Sequence, residues 1–260
     1  MPAHRFAVAF DVTEDGRKHF TYFQSPEDFF RETTGVVNRN FYEIIRRDQP
    51  CCLYFDLEHF TNCVNDDSKI EAAIRTISRE VQATWPHLTP ASLTDVSITS
   101  GSRPAKGKFK HSFHVVYPRI GFYCNYGTMR ELAQRLAGLP ELQALDHKGG
   151  SMSLLDSKVY TRDQNFRLTE SWKFTTSDVT SNMALRLFPT ARHSLQALLR
   201  TVVTRTTDVD SWVEEPSDLP DDYVNTVQQL LHTNCVDALW VSGVQAGSYG
   251  LARCICSDHR

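Results

Sequence analysis

Three short clusters in this 260-residue chain carry side chains whose types and spacing suit chemistry on phosphate groups. The first is Tyr54-Phe55-Asp56-Leu57-Glu58, two carboxylates at i and i+2 where an apolar run ends. In an extended strand both acids point to one face, with Phe55 and Leu57 on the other. Neighbouring carboxylates repel, and a hard divalent cation such as Mg2+ or Mn2+ relieves that repulsion through the oxygen ligands it prefers. The second is Lys110-His111-Ser112-Phe113-His114, behind a basic stretch with Arg103, Lys106 and Lys108. Ser112 and His114 share one strand face, and a hydroxyl, an imidazole and an ammonium together suit phosphate oxygens. The third is Asp156-Ser157-Lys158-Val159-Tyr160, followed by Asn165, Arg167 and Lys173. It adds a third acid for the cation, then an amide and two positive charges for a triphosphate. Side chains two apart on a strand run parallel, so Ser112 and His114 do not form a nucleophile and its base. Jointly the clusters suit metal-dependent phosphoryl or nucleotidyl transfer. Singly, each also reads as solvated strand-end acids, a half-buried histidine or ordinary surface cations.

These residues need strands to hold them. RFAVAFDV (5–12) and KHFTYFQ (18–24) flank the turn signal Glu14-Asp15-Gly16 and predict a hairpin. Ser25-Pro26-Glu27-Asp28 is a helix start, with the helix running to about Gly35. FYEIIRR (41–47) and CCLYFDLE (51–58) read as strands, the second apolar enough to be central in a sheet. Ser68 and Glu71 have capping-box spacing ahead of Ile70, Ala73, Ile74, Ile77 and Val81, a helical period that ends before Pro86. A strand over 95–100 precedes the loop GSRPAKGKFK, and HSFHVVYP (111–118) returns as a strand. Residues 127–137 read as helix, LLDSKVYT and NFRLTES as strand, and 191–203 as a closing helix. The expected class is α+β, a mixed α/β fold with interspersed antiparallel strands.

Composition bounds the rest. At 41% hydrophobic and 23% charged, the chain has the make-up of a globular protein. No apolar run approaches the roughly 18–20 residues that span a bilayer, so no membrane association is expected. The start lacks a secretory or transit signature, and seven cysteines, two of them adjacent, do not suggest a disulfide framework. Net charge is -3, unevenly placed: residues 207–260 hold nine acids and two arginines, leaving the first 206 at +4. A basic body with an acidic tail suits a polyanion partner, although a solvated spacer gives the same pattern.

LYFDLE (53–58), KHSFH (110–114) and DSKVYTRDQNFRL (156–168), in that order, resemble the D-x-E, S-x-H and third motifs of the archaeo-eukaryotic primase superfamily. The resemblance is to its eukaryotic primase-polymerases. YEII (42–45) and EDGRKHF (14–20) add to it, and it covers roughly residues 5–175. It implies that Asp56, Glu58 and Asp156 hold a catalytic Mg2+ or Mn2+. It also implies that Ser112 and His114 contact the incoming nucleotide, with Lys110, Arg167 and Lys173 adding charge, Asn165 alongside, and Lys18 or Arg17 near nucleotide and template. The implied architecture is a primase-like catalytic core over 1–206, with an N-terminal α/β module to about residue 50 and an RRM-like catalytic module over 51–190. An acidic linker and tail over 207–260 would follow. The implied activity is template-directed nucleotidyl transfer on a DNA template-primer with dNTP or NTP: primer extension, damage bypass and priming, in the nucleus, the mitochondrion or both. The family usually follows the core with a zinc region of cysteines and a histidine, associated with primer initiation. Here Cys235, Cys254, Cys256 and His259 are the candidates, in a C-x-C-x-x-H spacing unlike the usual C-x(2-4)-C knuckle. Gln164 stands where the family often has a basic residue.

Two other readings remain. YFDLEHFTN also fits the first motif of DEDD-type 3'-5' exonucleases, for which His232 and Asp237 have a suitable closing spacing. A non-catalytic nucleic-acid-binding replication factor is the second. The acids of DVDSWVEEPSDLPDDYV, with Trp212 and Tyr223, suit docking on the basic groove of a single-stranded-DNA-binding protein.

Overall fold

The alternating N-terminal runs pair as β1 (Phe6–Asp11) and β2 (Lys18–Phe23), antiparallel from Phe6↔Phe23 to Asp11↔Lys18. Ser25 caps α1 (Pro26–Thr33): its hydroxyl accepts from the Asp28 amide at 3.2 Å, Pro26 sits where no donor is needed, and Glu27 and Asp28 meet the positive helix end. β3 (Phe41–Ile45) and β4 (Cys51–Thr61) follow. α2 (Ser68–Thr84) buries Ile70, Ala73, Ile77 and Val81 and stops before Pro86, whose ring the helix cannot accommodate. Next come α3 (Pro90–Thr94), β5 (Ser97–Ser100), β6 (Arg103–Ala105), β7 (Lys108–Phe122) and α4 (Thr128–Ala137). The series ends with β8 (Gln143–Leu145), β9 (Ser151–Ser153), β10 (Gln164–Arg167), β11 (Arg186–Leu187), α5 (Leu195–Thr201) and β12 (Ser211–Val213). The computed structural model describes residues 5–13, 17–36, 39–47, 49–64, 68–172, 186–187 and 194–213.

The fold is a mixed α/β arrangement of open sheets and helices. One sheet has the order β10-β3-β1-β2, all antiparallel. The second is built on β7, which pairs antiparallel with β4, β5 and β6 and parallel with β12. Phe55, Leu57, Phe113 and Val115 are fully buried on its inner face, under the apolar sides of α2 and α4. Each such side chain contributes about 1.5–3 kcal/mol by leaving water. Phe6 and Val8 pack instead against Phe29 of α1, Leu198 of α5 and Val202 just after it, so helices cover one face of the first sheet.

Two segments differ from the sequence expectation. The loop over 101–110 is a hairpin, β6 to β7, turning on Lys106 (φ 52°) and Gly107 (φ 74°), the two left-handed residues a tight primed turn requires. LLDSKVYT is not a strand: after one bridge, Leu155 to Leu57, it becomes a single 3-10 turn over Ser157–Val159. There the Asp156 carboxylate accepts from the Lys158 amide, a local bond that competes with the ladder. The first sheet is also not contiguous in sequence, since β10 joins it from residues 164–167. Trp212, read with the acidic tail, lies on Tyr123 with ring centroids 5.3 Å apart, and the compact unit containing the described residues extends to Val213. Among the described residues no helix is long and apolar enough to cross a membrane.

Candidate active site

Strand register decides what meets at the outer face of the second sheet. In the β4–β7 pair, Asp56 lies opposite His114 and Glu58 opposite Ser112. On the other side of β4, the Leu57–Leu155 bridge, with Asp156 N to Asp56 O at 2.9 Å and Glu58 N to Leu154 O at 2.7 Å, sets Asp156 opposite Asp56. Thr99 of β5 faces His114 in turn. Residues directly opposite share a sheet face, so Asp156, Asp56, His114 and Thr99 form one lateral row. Glu58 and Ser112 form the next.

Asp156 is held there by a reciprocal clasp. Tyr54 Oη donates to the Val159 carbonyl at 2.7 Å, and Tyr160 Oη donates to the Tyr54 carbonyl at 2.7 Å. Both rings are fully or almost fully buried. Phe166 of β10 stacks on the His114 ring, 4.0 Å between centroids and 25° between planes, and so joins the first sheet to the row.

The charges are unequal in their partners. Glu58 accepts from Lys110 Nζ at 2.5 Å. His114 Nε2 stands 4.0 Å from Asp56 Oδ2. Asp56 Oδ1 is buried with no hydrogen-bond partner among the described residues. Burial, and then the neighbouring Glu58 and Asp156 charges, push the Asp56 carboxyl up to about 8, against the pull of Lys110 and Arg167. Burial, followed by the Arg167 charge, holds His114 well below the usual imidazole range, so it is neutral at pH 7. Arg167 is itself drawn down by burial, while Tyr42, Asp56 and Glu58 favour its charged form.

The structure thus brings together Asp56, Glu58, Asp156, Ser112, His114, Lys110 and Arg167. Asn165, two residues before Arg167 on the same face of β10, has a buried Oδ1 with no hydrogen-bond partner among the described residues. Lys18 is set apart at the far edge strand: it pairs with Asp11 and lies 3.8 Å above the Tyr42 ring. Lys173, His232, Cys235, Asp237, Cys254, Cys256 and His259 lie outside the described residues.

Two participants, Tyr42 and Ser102, were not singled out from sequence, and Arg103 was read there only as part of a basic stretch. Tyr42 is the register partner of Arg167 and donates to Asp11 Oδ2 at 2.9 Å. Burial, then the Asp11 charge, raises its phenol far above the ordinary range. Arg103 lies opposite Lys110 across the β6–β7 hairpin. Ser102 Oγ accepts from the Ser112 amide at 3.1 Å. Only the basic run 103–110 hinted at any of these, because the pairing of β3 with β10 joins residues far apart in sequence.

Among the described residues, no three His, Cys, Asp or Glu side chains are arranged as a ready metal cage. The reason is visible in the partners: Lys110 occupies Glu58, and the Asp156 carboxylate is turned to the Lys158 amide. The donor set still fits a hard cation, because Asp56 has a buried oxygen without a partner among the described residues and a carboxyl that burial, and then two neighbouring acids, keep from ionising. No family model and no curated protein matches the chain.

Proposed function

We propose that the chain is a metal-dependent nucleotidyltransferase of the primase-polymerase kind, adding nucleotides to a primer on a DNA template. The observation that carries this reading is the row Asp156–Asp56–His114 beside Glu58–Ser112, with two acids on one strand and a third beside it, neutral donors on the neighbouring strand and cations around them. Asp56, Glu58 and Asp156 would hold Mg2+ or Mn2+, which when bound neutralises phosphate oxygens and acidifies an attacking hydroxyl. His114, being neutral, offers a ring N–H to a phosphate oxygen over the whole physiological range. Ser112 adds a hydroxyl donor, and Lys110 and Arg167 supply the positive charge a triphosphate needs. We infer further that the four-stranded sheet with α1 and α5 is the N-terminal module, and that the β7-centred sheet with α2 and α4 is the RRM-like catalytic one. Such an enzyme would serve replication or damage tolerance wherever DNA is copied, in the nucleus or mitochondrion.

A labelled primer annealed to a longer template, with nucleotides and either ion, tests the assignment. Lengthened primer is the expected product, lost on Asp56→Asn with Glu58→Gln. A shortened primer would move the assignment to the exonuclease class. A primer bound but unchanged with both ions would leave a non-catalytic DNA-binding module.

A further inference from the structure

The two hydrophobic cores meet along Val202 to Thr204, just after α5. Val202 packs with Phe6 and Val8 under the first sheet, whereas Val203 belongs to the larger core built on β4 and β7. The Val203 carbonyl accepts from the Cys52 amide at 2.8 Å, which ties this seam to β4 four residues before Asp56. Cys52 Sγ reaches the Arg205 carbonyl at 3.2 Å and doubles the tie.

A buried carboxylate answers from the first sheet. Glu43 of β3 is the register partner of Val8, faces the covered side with it, and is fully buried. Its Oε1 accepts from the Val203 amide at 2.9 Å, and its Oε2 accepts from the Thr204 amide and the Thr204 hydroxyl, each at 3.0 Å. Burial pushes this carboxyl up to about 7, and the three bonds pull it back. An acid in such a place is held at a cost in desolvation that an apolar side chain would not incur. In return it grips two successive amides and a hydroxyl in one fixed geometry, which apolar packing does not supply.

That geometry matters one strand further on. Phe166 of β10 is the register partner of Glu43 and shares its face. The Phe166 ring is wedged between Tyr54, edge-on with centroids 5.0 Å apart, and His114, stacked at 4.0 Å. Tyr54 belongs to the clasp that holds Asp156, and Arg167 follows Phe166 directly. Where β3 sits on the seam therefore sets how Phe166 meets His114 and where Arg167 stands.

We propose that Glu43 is a positioning residue for the nucleotide site: by bolting β3 to the Val203–Thr204 seam it holds Phe166 against His114 and Arg167 beside the carboxylate row. It deepens the polymerase reading and rests on it for the word "nucleotide", whereas the stacking of His114 is measured without it.

The test is the proton–carbon NMR spectrum of the full chain labelled at histidine Cε1, without nucleotide or divalent ion. His114→Asn deletes the His114 signal and so assigns it. Phe166→Leu shows where that signal lies once the stacked ring is gone. Glu43→Gln, which sets an NH2 among three donors, should move the signal part of the way to the Phe166→Leu position. Thr204→Val removes one of the three bonds and should move it the same way by less, and Thr204→Ser, which keeps the hydroxyl, should restore it. In primer extension Glu43→Gln should raise the nucleotide KM about 10-fold or more through misplacement of Arg167 and His114. Loss of folded protein alone would lower kcat and leave KM unchanged. Should Glu43→Gln fail to fold, the Thr204 pair decides. A His114 signal that stays at the wild-type position in the folded Glu43→Gln and Thr204→Val variants overturns the proposal. So does a Thr204→Ser variant that behaves as Thr204→Val does. A chain that shows the expected shifts yet never lengthens a primer overturns the polymerase reading alone.

Discussion

Asp56 has to ionise to hold a cation, in surroundings that oppose ionisation. Its folded carboxyl titrates near 8 against an ordinary value of 3.8, so between those pH values the folded chain keeps a proton that the unfolded chain has lost. Its contribution to stability is therefore full below about pH 4 and is lost as pH rises towards 8. Asp56→Asn removes the penalty. It should raise stability at pH 8.5 by about 2 kcal/mol, roughly 4–8 °C in melting temperature for a body of this size, with a smaller gain at pH 5 and no nucleotide incorporation. Thermal melts at the two pH values check this; an unchanged melting temperature at pH 8.5 would refute it. Proton and ion also compete for the same oxygens, so Mn2+ affinity measured by titration calorimetry should rise with pH up to about 8 and level off beyond. At this scale the sequence was readable where geometry is local: the paired residues of D-x-E and of S-x-H share one face because strand alternation requires it. Tyr42 was not readable, because its partners Asp11 and Arg167 reach it only through tertiary pairing.

Elements position these residues through bonds that hydrophobic patterning does not report. The hairpin of β1 and β2, the capped start of α1 and the period of α2 all followed from local chemistry. The segment after Asp156 did not. Its apolar residues suggested a strand, whereas an aspartate able to bond its own backbone made a turn. The Tyr54–Tyr160 clasp fixes that turn, and Tyr160→Phe would leave the Tyr54 carbonyl buried without its donor. The expected cost is about 1–2 kcal/mol in denaturant unfolding. Incorporation should fall about 10-fold or more through displacement of Asp156, with oligonucleotide affinity kept, as steady-state extension and anisotropy on one preparation would reveal.

For the molecule as a whole, the charge break at residue 206 and the edge of the described fold do not coincide. Asp210, counted with the acidic tail, pairs with Arg119 and accepts from Ser92, and Val213 is fully buried. The three residues of β12, Trp212 over Gly121 among them, leave no signal that an acidic composition would not hide. A chain ending at 206 should be about 3–5 kcal/mol less stable than one ending at 213, through loss of the buried side chains of β12. Gly121→Ala tests the same contact from the other side: its Cβ would sit 2.7 Å from Trp212 Cε3 and Val209 Cγ1, a clash worth about 1–3 kcal/mol.

The late arrival of β10 has a bearing on synthesis. β3 leaves the ribosome with one edge bare and waits for a partner made about 120 residues later, an interval of about 6–24 s at 5–20 residues per second. Phe41, Ile44 and Ile45 lie along that nascent edge. Slowed translation or a missing chaperone should therefore cost yield through self-association of unfinished chains, well before any loss of stability in the completed one.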